Sequence, residues 1–458
     1  MNLVILIPEI ALSFGALIVF IAELFARKKD FSALTYLSGI FISISFLSIF
    51  WTPIGEGLGG MVESNQTTQF LKGVMYILTL LSIISLSEYY SKLNSVYTEL
   101  SYIMMCALIG LSLLVSSQNL ALSFLALELY SISSYVMIGL FRQDVLSKEA
   151  SFKYLTLGSV ATALIALGAG FFYLATGSFE LSKLSDQSGP AALACTFLLS
   201  GIALKIAAAP FHVWMPDTYE GAPSPVVGFL SSAPKVALFG FLLNLLDVFG
   251  SLNQWQIMVA ALAILSTIYA NLTAYGQNSV KRLLAYSSIA HAGYFLLAFA
   301  DNTQSLKFAL IFYITVYSFA TLGTFIAIGI LEEKRDFKHH ILDYKGLYKT
   351  RPGISTILAI FLFSLIGLPP FALFFGKLWL LLGLISAGEF LLAIVLLVAS
   401  LIGAGYYLKL IVNIFLSEPY KMVKGRRISG GEAIGFSVCL LIVVSLGLFP
   451  QIVLSFYD

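Results

Sequence analysis

Apolar stretches of 18 or more residues recur along the whole chain, separated by short polar connections. Each is long enough to cross a hydrocarbon core of about 30 Å. Fourteen can be drawn, at about 3–25, 33–52, 70–88, 99–116, 119–141, 153–175, 190–215, 225–248, 255–274, 283–300, 306–331, 354–386, 388–416 and 434–455. Backbone in lipid must satisfy its own hydrogen bonds, so these stretches are predicted to be helices. The alternating pattern of a membrane barrel is absent. The expected fold is an all-α polytopic membrane protein of about 14 transmembrane helices, with residues 1–458 as one integral membrane domain. The first stretch has no basic residue before it and carries Glu9 and Glu23, which does not suit a cleaved signal segment.

Two of the stretches look broken. In the seventh, Pro210 follows Lys205 and begins the run Pro210-Phe211-His212-Val213-Trp214-Met215-Pro216-Asp217. In the twelfth, Gly367-Leu368-Pro369-Pro370 precedes Gly376-Lys377. Proline removes a helix hydrogen bond and displaces the preceding turn. At membrane depth the freed carbonyls are tolerated where they line a cavity. The two breaks lie five spans apart, and each has a lysine beside it. This predicts two five-helix repeats, about spans 4–8 (residues 99–248) and 9–13 (residues 255–416). An odd offset inverts one repeat relative to the other, an arrangement in which paired interrupted segments point to the working site.

Composition agrees with a membrane chain: 59% of residues are hydrophobic and 11% charged, against about 25% charged in soluble domains. The net charge of +2 singles out no partner class, and nucleic acid is not expected among the partners. Alternate loops differ, however. One set carries 19 lysines and arginines, running from Arg27 to Arg427, and the other set carries Lys72, Lys183 and Lys307. The basic set should face the cytoplasm, which places both termini on the outer side. Cys106, Cys195 and Cys439 stand alone in apolar stretches, with no metal spacing or disulfide framework, and read as small buried hydrophobes.

Candidate chemistry lies in the charges inside the apolar stretches: Glu128, Lys205, Lys235, Lys377 and Lys409. Such groups cost at least about 2.5–3.5 kcal/mol each on insertion scales and are functional hypotheses by default. A buried carboxylate stays ionised beside a lysine, and a desolvated lysine keeps its proton beside a carboxylate. Glu128 with a lysine could therefore be a switchable pair, the bland alternative being a structural ion pair. Snorkelling is the bland reading for any membrane lysine. It suits Lys409, seven residues from the basic side, better than Lys205, Lys235 or Lys377. His291, about two turns into the tenth stretch, could relay protons near neutral pH or simply donate to a carbonyl. His212 and Asp217 read as structural, and Glu9 has no evident role. No dinucleotide fingerprint, Walker loop or cysteine cluster is present, and no paired histidines suggest haem. The driving energy must then come from an ion gradient or from another polypeptide.

Two longer motifs carry a resemblance. The run from Lys205-Ile206-Ala207-Ala208-Ala209-Pro210 through Pro216-Asp217-Thr218-Tyr219-Glu220-Gly221-Ala222-Pro223-Ser224-Pro225 resembles a signature of the antiporter-like subunits of respiratory complex I. Lys281-Arg282-Leu283-Leu284-Ala285-Tyr286-Ser287-Ser288-Ile289-Ala290-His291-Ala292-Gly293-Tyr294 is similar to a second. With the span count, the similarity covers nearly the whole chain. The Pro216–Pro223 wording and Lys377 are most similar to N-type members; M-type members have a glutamate in that span. The resemblance implies a proton-translocating subunit of an NADH-quinone oxidoreductase in a bacterial inner membrane. Glu128, Lys205, Lys235 and Lys377 would form its proton line, with His291 an intermediate. It also implies other complex I membrane subunits as partners beside the lipid bilayer. No cofactor is expected on this chain; NAD, FMN, iron–sulfur clusters and quinone would belong to the rest of the complex. The alternative is a sodium/proton antiporter subunit of the same fold. A sodium site needs several converging oxygens, and the core offers one clear carboxylate.

Overall fold

A computed structural model describes residues 3–25, 31–92, 97–140, 144–184, 189–332, 339–420 and 428–451, without the side chains of residues 31, 88 and 90–92. Helices dominate it. In chain order they are α1 (Ile7–Phe25), α2 (Phe31–Ser48), α3 (Gln66–Lys92), α4 (Leu100–Ser116), α5 (Leu120–Gly139), α6 (Val145–Thr176), α7 (Gly189–Lys205), α8 (Trp214–Gly221) and α9 (Ser224–Leu230). There follow α10 (Ala233–Phe249), α11 (Asn253–Ala274), α12 (Val280–Leu297), α13 (Gln304–Leu331), α14 (Leu347–Thr350), α15 (Pro352–Ile366), α16 (Ala372–Ser386), α17 (Phe390–Leu416) and α18 (Gly430–Leu448). A hairpin, β1 (Gly55–Gly57) against β2 (Val62–Ser64), sits between α2 and α3. Among the described residues, ten helical segments are long and apolar enough to cross a membrane, and four shorter apolar helices accompany them.

The chain forms two compact units. The first contains Met1–Ile206 and Ala233–Met258; the second contains Ala207–Ser232 and Val259–Asp458. In the first, consecutive helices pack side by side, and α10 lies against α3 and α4. Lipid supplies no hydrophobic drive for helix association, so close approach through small residues does the work. A Cβ on Gly110 of α4 would strike the α5 backbone at Ala126 and Tyr130. One on Gly201 of α7 would strike Ile165 and the Ala161 carbonyl of α6. In the second unit, α13 is buried over almost its whole length and is flanked by α9, α15, α16 and α18. Gly323 and Gly376 make room there for Phe361 and Tyr313 respectively. Large apolar side chains such as Phe25, Leu174, Leu401 and Leu416 point outward from both units, as a lipid-facing or partner-facing surface requires.

Both expected breaks are present. The helix stops at Lys205 and resumes at Trp214; it stops at Ile366 and resumes at Ala372. Gly367 takes a left-handed conformation (φ 85°) as the cap of α15, a geometry that glycine adopts without a Cβ penalty. A third interruption was not expected. The stretch drawn as 225–248 is divided at Ser231–Ser232 into α9 and α10. Its signal in the sequence is Ser231-Ser232-Ala233-Pro234, since proline suits the first turn of a new helix.

Two readings of the basic residues need correction. Lys72, counted as an outer-loop residue, lies inside α3, where it is 3% exposed. Lys281, counted among the basic loops, is 5% exposed in the first turn of α12. Each has found a carboxylate from another helix or helix end, which long-range folding alone could arrange. Arg27, Lys28, Lys29, Arg142, Lys334, Arg335, Lys338, Lys421, Lys424, Arg426 and Arg427 lie outside the described residues.

Candidate functional site

Glu128 and Lys205 meet in the first unit. Glu128 projects from the middle of α5, and Lys205 is the last residue of α7. Their nearest charged atoms are 3.5 Å apart, and the lysine side chain is 2% exposed. The ammonium lies nearer a hydroxyl: it donates to Ser131 Oγ at 2.6 Å and reaches the Tyr135 phenol at 3.4 Å. Thr162 Oγ1 donates to Glu128 Oε1 at 2.6 Å. The pair is thus loose, and each partner has a neutral oxygen beside it. Local sequence explains the seat. Gly158 on α6 leaves the space that the Tyr135 hydroxyl fills, and Gly201 lets α7 approach α6.

Helix ends add to this electrostatics. Lys205 sits at the C-terminal end of α7, where unpaired carbonyls favour positive charge. Lys235, third residue of α10 and 2% exposed, sits at an N-terminal end, where the same effect opposes positive charge. Chain and units coincide here. The chain passes from the first unit to the second one residue after Lys205 and returns two residues before Lys235.

In the second unit, Lys377 of α16 donates to the Ile366 carbonyl at 2.9 Å, one of the acceptors freed where α15 ends. Its ammonium also stands 5.0 Å from the centre of the Tyr294 ring, within cation–π range. His291, 1% exposed, faces that same tyrosine and pairs its Nδ1 with the Tyr313 hydroxyl at 3.1 Å. Its ring lies 4.7 Å from that of Tyr317, whose hydroxyl donates to Ser288 at 3.0 Å. Ser288 also pairs with Tyr219 of α8 at 3.2 Å. Asn271 bridges Tyr294 and Tyr406, and Ser287 pairs with Tyr407. This tyrosine-rich array was missed in the sequence. Its trace is the wealth of tyrosines in the apolar stretches, which by themselves look like bulky core residues.

The two signature motifs pack on each other. Arg282 holds Asp217 at 2.6 Å and Glu220 at 3.0 Å through one nitrogen. Lys281 donates to the Ala222 carbonyl at 3.0 Å and pairs with Glu332 at 2.7 Å. His339 Nε2 and Ser224 Oγ reach the same Glu332 oxygen at 2.7 and 2.6 Å. Burial would raise the Glu332 carboxyl, but Lys281 and His339 hold it well below its ordinary value. Burial, together with Lys281, lowers His339 despite the pull of Glu332. Asp217 is held by Arg282. His212 lies with its ring 4.9 Å from Tyr269, and Lys409 is exposed on α17.

Similarity to known proteins fits this arrangement. Residues 117–403 match the family described as "NADH:quinone oxidoreductase/Mrp antiporter, TM". NADH-quinone oxidoreductase subunit N 1 of Aquifex aeolicus is 44% identical over 462 residues, covering 100% of this chain and 99% of the relative. The chain belongs to the subunit N family. Another member, subunit N 2 of Hydrogenobaculum sp., is 42% identical over 98% of this chain and 97% of its own length. Among solved structures, a chain of respiratory complex I from Thermus thermophilus with bound aureothin superposes with a TM-score of 0.86 at 29% identity, covering 98% of both chains. A chain of the Mrp complex from Dietzia sp. superposes with a TM-score of 0.85 at 20% identity, over 100% of this chain and 96% of that one. The latter likeness is one of fold. Both signature motifs fall inside the matched region.

Proposed function

We propose that this chain is a proton-translocating membrane subunit of an NADH-quinone oxidoreductase. Protons move along Glu128, Lys205, Lys235 and Lys377, with His291 an intermediate, while quinone reduction in neighbouring subunits drives them. Other membrane subunits of the complex and the lipid bilayer are its partners. It carries no redox cofactor; NAD, FMN, iron–sulfur clusters and quinone reside elsewhere in the assembly. The chain has about 14 spans in a bacterial inner membrane, with both termini on the outer side. Residues 99–248 and 255–416 form two inverted five-helix repeats, each with one broken span.

The observation that carries this reading is the loose Glu128–Lys205 pair, 3.5 Å apart, with hydroxyls beside both partners. When Glu128 is near, Lys205 holds its proton. When Glu128 is neutralised or drawn away, the ammonium loses that support and passes a proton on. At an effective dielectric of 20 the pair interacts by about 5 kcal/mol, and doubling its separation gives up about half of this. Moving one charge against 100 mV takes about 2.3 kcal/mol, so the swing is sufficient for one step. The test is a complex assembled with Lys205→Ala, in which proton pumping is measured against quinone reduction. A lowered ratio is expected, and a wild-type ratio refutes the reading. Sodium-dependent transport in proteoliposomes would point instead to a sodium/proton antiporter.

A further inference from the structure

A second buried acid–base pair, outside the proposed line, lies in the first unit. Lys72 Nζ of α3 is 2.6 Å from Glu9 Oε1 of α1. Ser112 of α4 donates to that same oxygen at 2.5 Å. Glu9 is 4% exposed and Lys72 is 3% exposed. The other carboxylate oxygen, Oε2, is buried and has no hydrogen-bond partner among the described residues. Tyr76, one helical turn along α3 from Lys72, reaches Ser112 Oγ at 3.5 Å.

The ingredients repeat those around Lys205: one glutamate, one lysine, one serine and one tyrosine. Their balance differs. Lys205 is close to its serine and loose to its glutamate, whereas Lys72 is tight to Glu9. Helix association does not need such a pair, because membrane helices pack through small residues. A buried ion pair is often replaceable by apolar side chains without loss of stability. Its persistence here calls for another reason.

Position supplies one. Glu9 is six residues beyond the start of helix at Leu3, Lys72 six beyond the start of α3, and Ser112 four before the end of α4. At about 1.5 Å per residue, all three lie roughly 6–10 Å below helix ends. Beyond them sits an apolar cluster of Ile5, Leu6 and Val62 with Leu58, Leu113 and Leu122. The α10 helix links this level to Lys235. Its Gly240 seats on Leu71 and Val115, and Asn244 donates to the Val115 and Ser117 carbonyls, both at 3.2 Å.

We propose that Glu9 and Lys72 form a proton-release pair of the first unit, on the side of the membrane where α1 begins. This rests on the function proposed above. A proton reaching Glu9 through the Tyr76–Ser112 hydroxyls turns the carboxylate into a carboxylic acid, and the pair goes from net zero charge to +1. Lys72 then faces no counter-charge and gives up one proton outward. Transfer of the proton from Glu9 to Lys72 resets the pair, so one proton enters and one leaves per cycle.

The test uses the assembled complex in proteoliposomes and reads protons moved per quinone reduced. Glu9→Gln should lower this ratio to the level of Lys205→Ala. The double variant Glu9→Gln/Lys205→Ala should lower it no further, because both lie on one route. A structural defect would add to the Lys205→Ala loss instead. Glu9→Leu/Lys72→Leu keeps an apolar core and serves if Glu9→Gln does not assemble; it too should match Lys205→Ala. A wild-type ratio in either Glu9 variant, with Lys205→Ala impaired, overturns the release pair and leaves the main line standing. A wild-type ratio in Lys205→Ala itself overturns the function on which the pair rests.

Discussion

Glu128→Gln removes one negative charge and little else. The amide matches the carboxylate in shape and can still accept from Thr162 Oγ1, now 2.6 Å from Glu128 Oε1. Lys205 keeps Ser131 at 2.6 Å and the Tyr135 phenol at 3.4 Å. What it loses is a counter-charge at 3.5 Å. At an effective dielectric of 20 that is up to about 5 kcal/mol, and every 1.4 kcal/mol is about tenfold in an equilibrium. The proton-loaded lysine should therefore become rarer by up to about a few thousandfold. The assay is proton pumping by the assembled complex in proteoliposomes, set against quinone reduction in the same vesicles. The pumping ratio should fall to that of Lys205→Ala in alkaline buffer and recover partly in acidic buffer, where the lysine is reloaded. An unchanged ratio in alkaline buffer would refute the idea that this carboxylate governs the lysine.

Other expectations follow from the same geometry. Gly158→Ala should push the Tyr135 hydroxyl from its seat, with an overpacking cost of about 1–3 kcal/mol, read as a lower unfolding temperature together with reduced pumping. The Glu332–His339 cluster should make stability fall in acid. His339 is held below its ordinary value, so unfolding takes up a proton as the pH drops below about 6.5; stability is unaffected above that pH and declines below it. Glu332 is also held low, so its contribution is complete above about pH 4.5 and is lost only further into acid. Thermal melting from about pH 7 to pH 5 should show a decline that His339→Gln flattens. Lys409→Ala should leave pumping unchanged, because that lysine is exposed on α17; a lost pumping ratio would show that it belongs to the route.

How far the chain could be read in advance differs residue by residue. Lys205, Lys235 and Lys377 were conspicuous because charge inside an apolar run is costly wherever the run ends up. The breaks after Lys205 and before Lys377 were equally plain, since proline acts on its own helix. Lys72 and Lys281 were misread as loop residues, because each lies within a few residues of the end of an apolar run. The carboxylates of Glu9 and Glu332, 63 and 51 positions away, help make their burial tolerable. The tyrosines around His291 gave no local sign of being a hydrogen-bonded array.

The sequence by itself determined that this is a helical membrane chain, where its helices break, and which buried charges need explaining. Those are consequences of hydropathy and of proline's missing N–H, which act over a few residues. Tertiary structure decided the pairings. Lys205 came to rest nearer Ser131 than Glu128, Lys377 came to cap the broken end of α15, and Glu9 acquired Lys72. Coulomb energy depends on separation in space, and spacing along the chain does not encode it.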